Sequence, residues 1–354
     1  MPIVTARCSV AGATPIGRSR LATSWSLTQD LVGAAGVVLV GLLLFRPAAG
    51  LAVLWNVLIP IAPALLVVAP GLWRNICPMA TVSLLPQRLG WSRRHVVTPR
   101  SADLLMVAGV AALLIVVPLR HLSLDLDGPL SAAMLLVAAG IAFGTGFIFE
   151  ARGGWCASLC PIHPVERLYG FAPLKTFANR RCDGCRKCAI PCPDSTRSMT
   201  PLVCASSFGR RLGHALVGGF VGFVWGWNQV PDMPGAVGVP DALFAYAWPF
   251  AGAALSLASY ALARRLLCRG KPDEARLARL YATAAVCAYY WYRLPALVGF
   301  GVFPETGLLC DLSATLPDWT PQALHTASTS LLLWFLLVRT APASSWMKRP
   351  SKTA

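Results

Sequence analysis

The chain is poor in charge. Only 13% of its 354 residues are charged and 15 are acidic, whereas a soluble domain of this length carries about a quarter charged residues. That deficit excludes an ordinary cytosolic enzyme. Residues 1–29 hold Arg7, Arg18 and Arg20 but no uninterrupted apolar core ahead of a small-residue cleavage site. No signal peptide is expected, and the apolar run after Leu31 reads as a helix that stays. The sequence also lacks a general acid–base pair, a nucleophile triad and a phosphate-binding loop, which argues for a carrier or subunit rather than a stand-alone enzyme. Histidines number only 5. Neither His121 with His325 nor His163 with His214 offers the mid-helix pairing that a membrane di-haem site favours, so haem is not the leading expectation.

Apolar residues make up 56% of the chain. Runs at 30–46, 51–70, 102–120, 130–150, 212–230, 241–264, 278–303 and 321–339 approach the ~20 residues a spanning helix needs. Helix rather than strand follows from run length and from the need to satisfy every backbone amide within the segment. Pro60, Pro63, Gly144 and Gly146 are compatible with this, because membrane helices tolerate both residue types. The net charge of +16 is consistent with nucleic-acid binding or with membrane orientation, and position separates the two. Of 31 Lys and Arg residues, 28 fall on the side that carries both termini, while Arg46 and Arg120 lie on the other and Arg293 within a span. This is the positive-inside pattern, so the basic side is expected to be cytoplasmic and no nucleic-acid partner is needed.

The segment between the fourth and fifth runs contains Cys182-Asp-Gly-Cys185-Arg-Lys-Cys188-Ala-Ile-Pro-Cys192-Pro193. This C-x2-C-x2-C-x3-C-P spacing lets Cys182, Cys185 and Cys188 converge on one [4Fe–4S] cube, with Cys192 closing it or reaching to a second cluster. Zinc is the alternative, but its sites usually join two close cysteine pairs through a longer spacer. Disulfides are disfavoured on a cytoplasmic face. Arg180, Arg181, Arg186 and Lys187 flank the loop. They serve either as positive-inside residues or as a docking surface for an acidic partner such as a flavodoxin or ferredoxin.

Two further motifs end helical hairpins: Trp73-Arg74-Asn75-Ile76-Cys77-Pro78 and Trp155-Cys156-Ala157-Ser158-Leu159-Cys160-Pro161. They read as a duplicated unit. Cys77, Cys156 and Cys160 supply three thiolates, and Cys192 or Cys204 a fourth, for a second cluster. The alternatives are a redox dithiol at Cys156/Cys160 or a soft-metal site.

These residues resemble the NosR/NapH-type family of polytopic membrane ferredoxins over roughly residues 30–211. The resemblance rests on the C-x3-C-P of Cys156, Cys160 and Pro161 and on the ferredoxin loop from Cys182 to Pro193. It implies electron relay between the quinone pool or a soluble donor and a partner redox enzyme, or service in metal-centre assembly. The chain departs from the family in having Trp73 where the first C-x3-C-P places its first cysteine, and in having one ferredoxin loop instead of two.

The expected fold class is an all-α polytopic membrane protein of about eight transmembrane helices with a small cytoplasmic ferredoxin-like insert. Its divisions are a cytoplasmic tail (1–29), helices one to four as two hairpins (30–150), the iron–sulfur segment (151–211), helices five to eight (212–339) and a second cytoplasmic tail (340–354). A bacterial-type inner membrane is the expected location, with lipid and a soluble or membrane redox protein as partners. Within the seventh run, Tyr289-Tyr290-Trp291-Tyr292-Arg293 reads either as an interface belt with Arg293 snorkelling outward or as a quinone or substrate site.

Overall fold

The computed structural model describes residues 20–150, 153–178, 201–202, 206–235, 238–304, 306–339 and 347–348. Its regular structure is helical apart from a two-residue parallel pairing of β1 (Phe177–Ala178) with β2 (Met347–Lys348). In the first half, α1 (Arg20–Phe45) precedes α2 (Pro47–Leu51), which runs through a π-helical turn (Ala52–Leu58) into α3 (Ile59–Val68). The short α4 (Pro70–Ile76) and α5 (Pro78–Arg88) follow, then α6 (Pro99–Leu119), which continues as a π-helical turn (Arg120–Leu124), and α7 (Gly128–Ile148). A third π-helical turn (Trp155–Leu159) leads into α8 (Ile162–Tyr169). The second half holds α9 (Ser207–Trp227), α10 (Val239–Leu267), α11 (Lys271–Leu297) and α12 (Thr320–Leu333), the last continued by a π-helical turn (Trp334–Val338).

Among the described residues, 5 helices are long and apolar enough to cross a membrane: Ser24–Phe45, Pro47–Val68, Arg100–Leu124, Gly128–Ile148 and Val239–Leu267. They correspond to the first four expected runs and the sixth. The runs at 212–230, 278–303 and 321–339 also fold as helices, in α9, α11 and α12, but glycine, charge and hydroxyl residues dilute their apolarity. Several helices begin on a side-chain cap: Thr98 Oγ1 accepts from Ser101 N (3.2 Å), Asp127 Oδ1 from Leu130 N (2.8 Å) and Ser206 Oγ from Gly209 N (2.8 Å). Each cap satisfies an amide that a helix start leaves without a carbonyl partner.

The largest apolar cluster joins Leu66 and Val67 of α3, Leu168 and Tyr169 of α8, Phe220 and Phe223 of α9, and Tyr289 and Tyr290 of α11. Here α9 serves as the inner helix, and it meets α10 through small residues. Gly218, Gly222 and Gly226 recur every fourth position, a spacing that lets membrane helices approach closely. A Cβ on Gly222 would strike the Gly252 carbonyl. Ser256 Oγ accepts from Gly222 N (3.1 Å) and donates to Gly218 O (2.7 Å). Gly222→Leu is therefore expected to destabilise the fold by about 1–3 kcal/mol or more through overpacking. Gly36→Leu, where a Cβ meets nothing within 4 Å, should be neutral. Denaturant unfolding in detergent micelles, followed by far-UV circular dichroism, separates the two.

Candidate functional site

The two Cys-Pro motifs adopt one backbone conformation. Cys77 ends α4 at φ −52°, ψ 120°, and Cys160 ends its π-helical turn at φ −58°, ψ 122°. A following proline disfavours the helical region for the residue before it, so each cysteine is where its helix stops and the next begins. Both cysteine amides bond back to a tryptophan carbonyl: Cys77 N to Trp73 O (2.9 Å) and Cys160 N to Trp155 O (2.8 Å). The spacing is one residue longer in the second copy. The π-helical turn absorbs the extra residue, as such turns commonly do at functional sites. Trp73 is thus the counterpart of Trp155 in backbone role, and Cys156 is the residue gained.

Within the expected cytoplasmic segment 151–211, the first described part packs closely against the helices. A Cβ on Gly109 would lie 2.6 Å from the Leu159 carbonyl oxygen, and Gly109 stands roughly 15 Å along α6 from its start at 1.5 Å a residue. His163, Val165, Glu166, Leu168 and Tyr169 of α8 are all buried.

Beneath the cysteines lies a buried ionic cluster that sequence reading missed. Arg74 and Glu166, each only 3% exposed, pair through Nε and Oε1 at 2.8 Å. Arg74 Nη2 also reaches His163 Nδ1 (3.1 Å) and the Cys156 carbonyl (3.4 Å). The guanidinium can only donate, so His163 Nδ1 accepts and Nε2 carries the proton. Burial, reinforced by the charge of Arg74, brings His163 down to about 4 against the pull of Glu166, and the ring is neutral at pH 7. On the other side of α4, Gln29 Nε2 donates to Asn75 O at 2.8 Å, tying α1 to the motif. Arg74 counts in the sequence as one more positive-inside residue. The available signal was an arginine and a glutamate flanking the two copies of one repeat.

Cys77, Cys156 and Cys160 are each half-buried. Burial pushes the Cys160 thiol up, and charge on Cys77 and Cys156 pushes it the same way, so the three thiols lie within electrostatic reach of one another. Three thiolates here call for a positive centre. Trp155, beside Cys156, keeps its indole N–H buried without an acceptor among the described residues, a donor that a sulfur ligand would satisfy. The residues present thus fit a thiolate-held metal group in their chemistry. No three His, Cys, Asp or Glu side chains among the described residues converge closely enough to hold a metal ion by themselves. Cys182, Cys185, Cys188, Cys192 and Cys204, the remaining expected ligands, lie outside the described residues.

Arg293 does not snorkel. It is 3% exposed and donates from Nη2 to Trp55 O and Asn56 Oδ1, both at 2.6 Å. Tyr290 Oη donates to Pro60 O at 2.7 Å, so this segment faces the bundle instead of forming a belt. Trp291 alone among its large apolar residues is well exposed, stacked on His325 at 3.9 Å. No family model, curated protein or solved structure matches the chain.

Proposed function

We propose that this chain is a membrane-bound iron–sulfur electron carrier, relaying electrons between a cytoplasmic or quinone donor and a partner redox protein. The observation that carries the reading is the joining of the two Cys-Pro turns. They share one conformation, Arg74 of the first binds Glu166, His163 and the Cys156 carbonyl of the second, and the C-x2-C-x2-C-x3-C-P loop follows them in sequence.

A [4Fe–4S] cluster, when bound, supplies a one-electron site whose potential responds to charge and hydrogen bonds around it. Cys182, Cys185, Cys188 and Cys192 are the residues to hold one. Cys77, Cys156 and Cys160, with Cys192 or Cys204, are the set for a second. Arg74 offsets negative charge at those thiolates from below. His163, fixed with its proton on Nε2, and the indole N–H of Trp155 are local donors.

An eight-helix topology with the thiol side cytoplasmic belongs to the same reading. The turns after α6, α9 and α11 gather at one end, where His121 Nδ1 bonds Asp232 Oδ1 (2.6 Å) and Asp232 N donates to Thr306 Oγ1 (3.0 Å), and Asn56 Nδ2 of the first π-helical turn donates to Leu308 O (2.7 Å). At the other end, Arg339 donates to the Ala172 carbonyl, and β1 pairs with β2. The 28 basic residues on that second side support its cytoplasmic orientation.

Iron and labile sulfide analysis with EPR on the purified protein tests the proposal. Two clusters give about 8 iron atoms per chain and one gives about 4; an iron-free protein after anaerobic purification overturns it. A second reading, a metal-centre assembly factor working through Cys156 and Cys160, rests on the close pair of thiols that the second Cys-Pro motif carries. It predicts that losing either thiol leaves the iron content unchanged while maturation of the partner fails.

A further inference from the structure

At the opposite end of the bundle from the thiols, a small cavity of about 30 Å³ is lined by Arg120, His121, Asn228, Tyr292, Arg293 and Thr306 with an apolar wall that includes Val302 and Phe303. We propose that this cavity binds a small dissolved monovalent anion of acetate size.

Among the described residues, the cavity wall carries two arginines and no carboxylate. Asp125 and Asp232 stand behind it and are already engaged, Asp125 with Arg120 and Asp232 with His121. Among the described residues, Arg293 has only neutral acceptors, both reached through Nη2, so within that set its charge has no directly bonded counter-ion and its other donors are left over. Gly307 holds it there. At φ 75° the backbone turns back against the guanidinium, and a Cβ would strike Nη1. Arg120 is clamped between the rings of Trp55 and Trp227, at 5.7 and 5.3 Å from their centroids, yet its Nε is buried with no hydrogen-bond partner. An anion at the opening is the ligand that would accept from the spare donors of Arg293, with Arg120 adding positive charge from the same wall. A bridge between α3 and α11 alone would explain the bonds of Arg293 to Trp55 and Asn56. It would not explain why a second buried arginine lines the same opening.

The test uses full-length protein in a neutral detergent and iodide as the probe, a monovalent anion that quenches indole fluorescence on contact. A saturable component, displaced by acetate, is expected on top of collisional quenching. Arg293→Gln should weaken it at least tenfold. Because that variant also removes a helix contact, Val302→Glu serves as the second. Val302 is 61% exposed at the rim, so the fold should persist while the added carboxylate weakens iodide several-fold and Val302→Gln leaves it unchanged. Quenching that stays linear, or a saturable part equal in wild type, Arg293→Gln and Val302→Glu, overturns the proposal. So does displacement by phosphatidylglycerol in nanodiscs but not by acetate, which would assign the site to a lipid headgroup.

Discussion

Arg74→Met is expected to cost the protein about 3–5 kcal/mol of stability, the range for removing one partner of a buried ion pair. The side chain sits at 3% exposure against a glutamate equally buried. Its loss leaves Glu166 to ionise without a partner or to take up a proton, and it also strips a donor from His163 Nδ1 and from the Cys156 carbonyl. Methionine fills much of the volume, so the penalty is electrostatic rather than a cavity. Removing both charges in Arg74→Met/Glu166→Leu should therefore recover most of the loss, since apolar replacements of a whole buried pair are often neutral, and the cycle isolates the coupling. Arg264→Met supplies the contrast. Its pair with Glu274 is 2.8 Å long but 44% and 28% exposed, and its loss should register within about 1 kcal/mol. Denaturant titration in micelles reads all of these variants. An Arg74→Met protein as stable as Arg264→Met would mean that the cluster under the cysteines is not held by charge.

What the sequence makes legible here follows from the range of each signal. Continuous apolar runs are local, and the runs behind Ser24–Phe45, Pro47–Val68, Arg100–Leu124, Gly128–Ile148 and Val239–Leu267 were readable without any tertiary knowledge. The helix α9 is weaker in hydropathy for a tertiary reason. Its glycines face α10, and packing against protein asks for small residues where lipid would ask for large apolar ones. The repeat was legible because Cys-Pro is itself a conformational instruction, and the matched dihedrals of Cys77 and Cys160 follow from it. The burial of α8 was not legible, since eight residues with a histidine, a glutamate and an arginine read as cytoplasmic loop. Only the partner for Glu166, 92 positions away, makes that burial affordable. Arg293 misled in the opposite direction. A helix-depth estimate puts it within snorkelling range, but the carbonyl of Trp55, in the π-helical turn Ala52–Leu58, gives it an inward partner.

Cys160→Ser is expected to lower iron from about 8 to about 4 atoms per chain and to remove one of two EPR signals. Serine keeps the size of the side chain and Pro161 keeps the turn, so the change is confined to the ligand. A hydroxyl binds iron far less readily than a thiolate, and the soft-ligand preference of such centres rests on sulfur. Cys77→Ser should give the same loss, because each motif copy contributes to one group. Cys185→Ser should abolish the other signal and spare the first. Cys287→Ser is the control: this cysteine lies within α11 and belongs to neither motif, and its iron content should match wild type. The pattern across these variants discriminates more sharply than the total. If Cys77→Ser and Cys160→Ser both retain the wild-type iron and spectrum, the thiols gathered above Arg74 hold no cluster, and the half of the proposal that rests on the duplicated hairpin falls while the ferredoxin loop stands. If Cys77→Ser loses iron and Cys160→Ser does not, the second copy has been misassigned. The shared backbone conformation would then reflect the Cys-Pro sequence alone, because a common ligand requires the two cysteines to fail together.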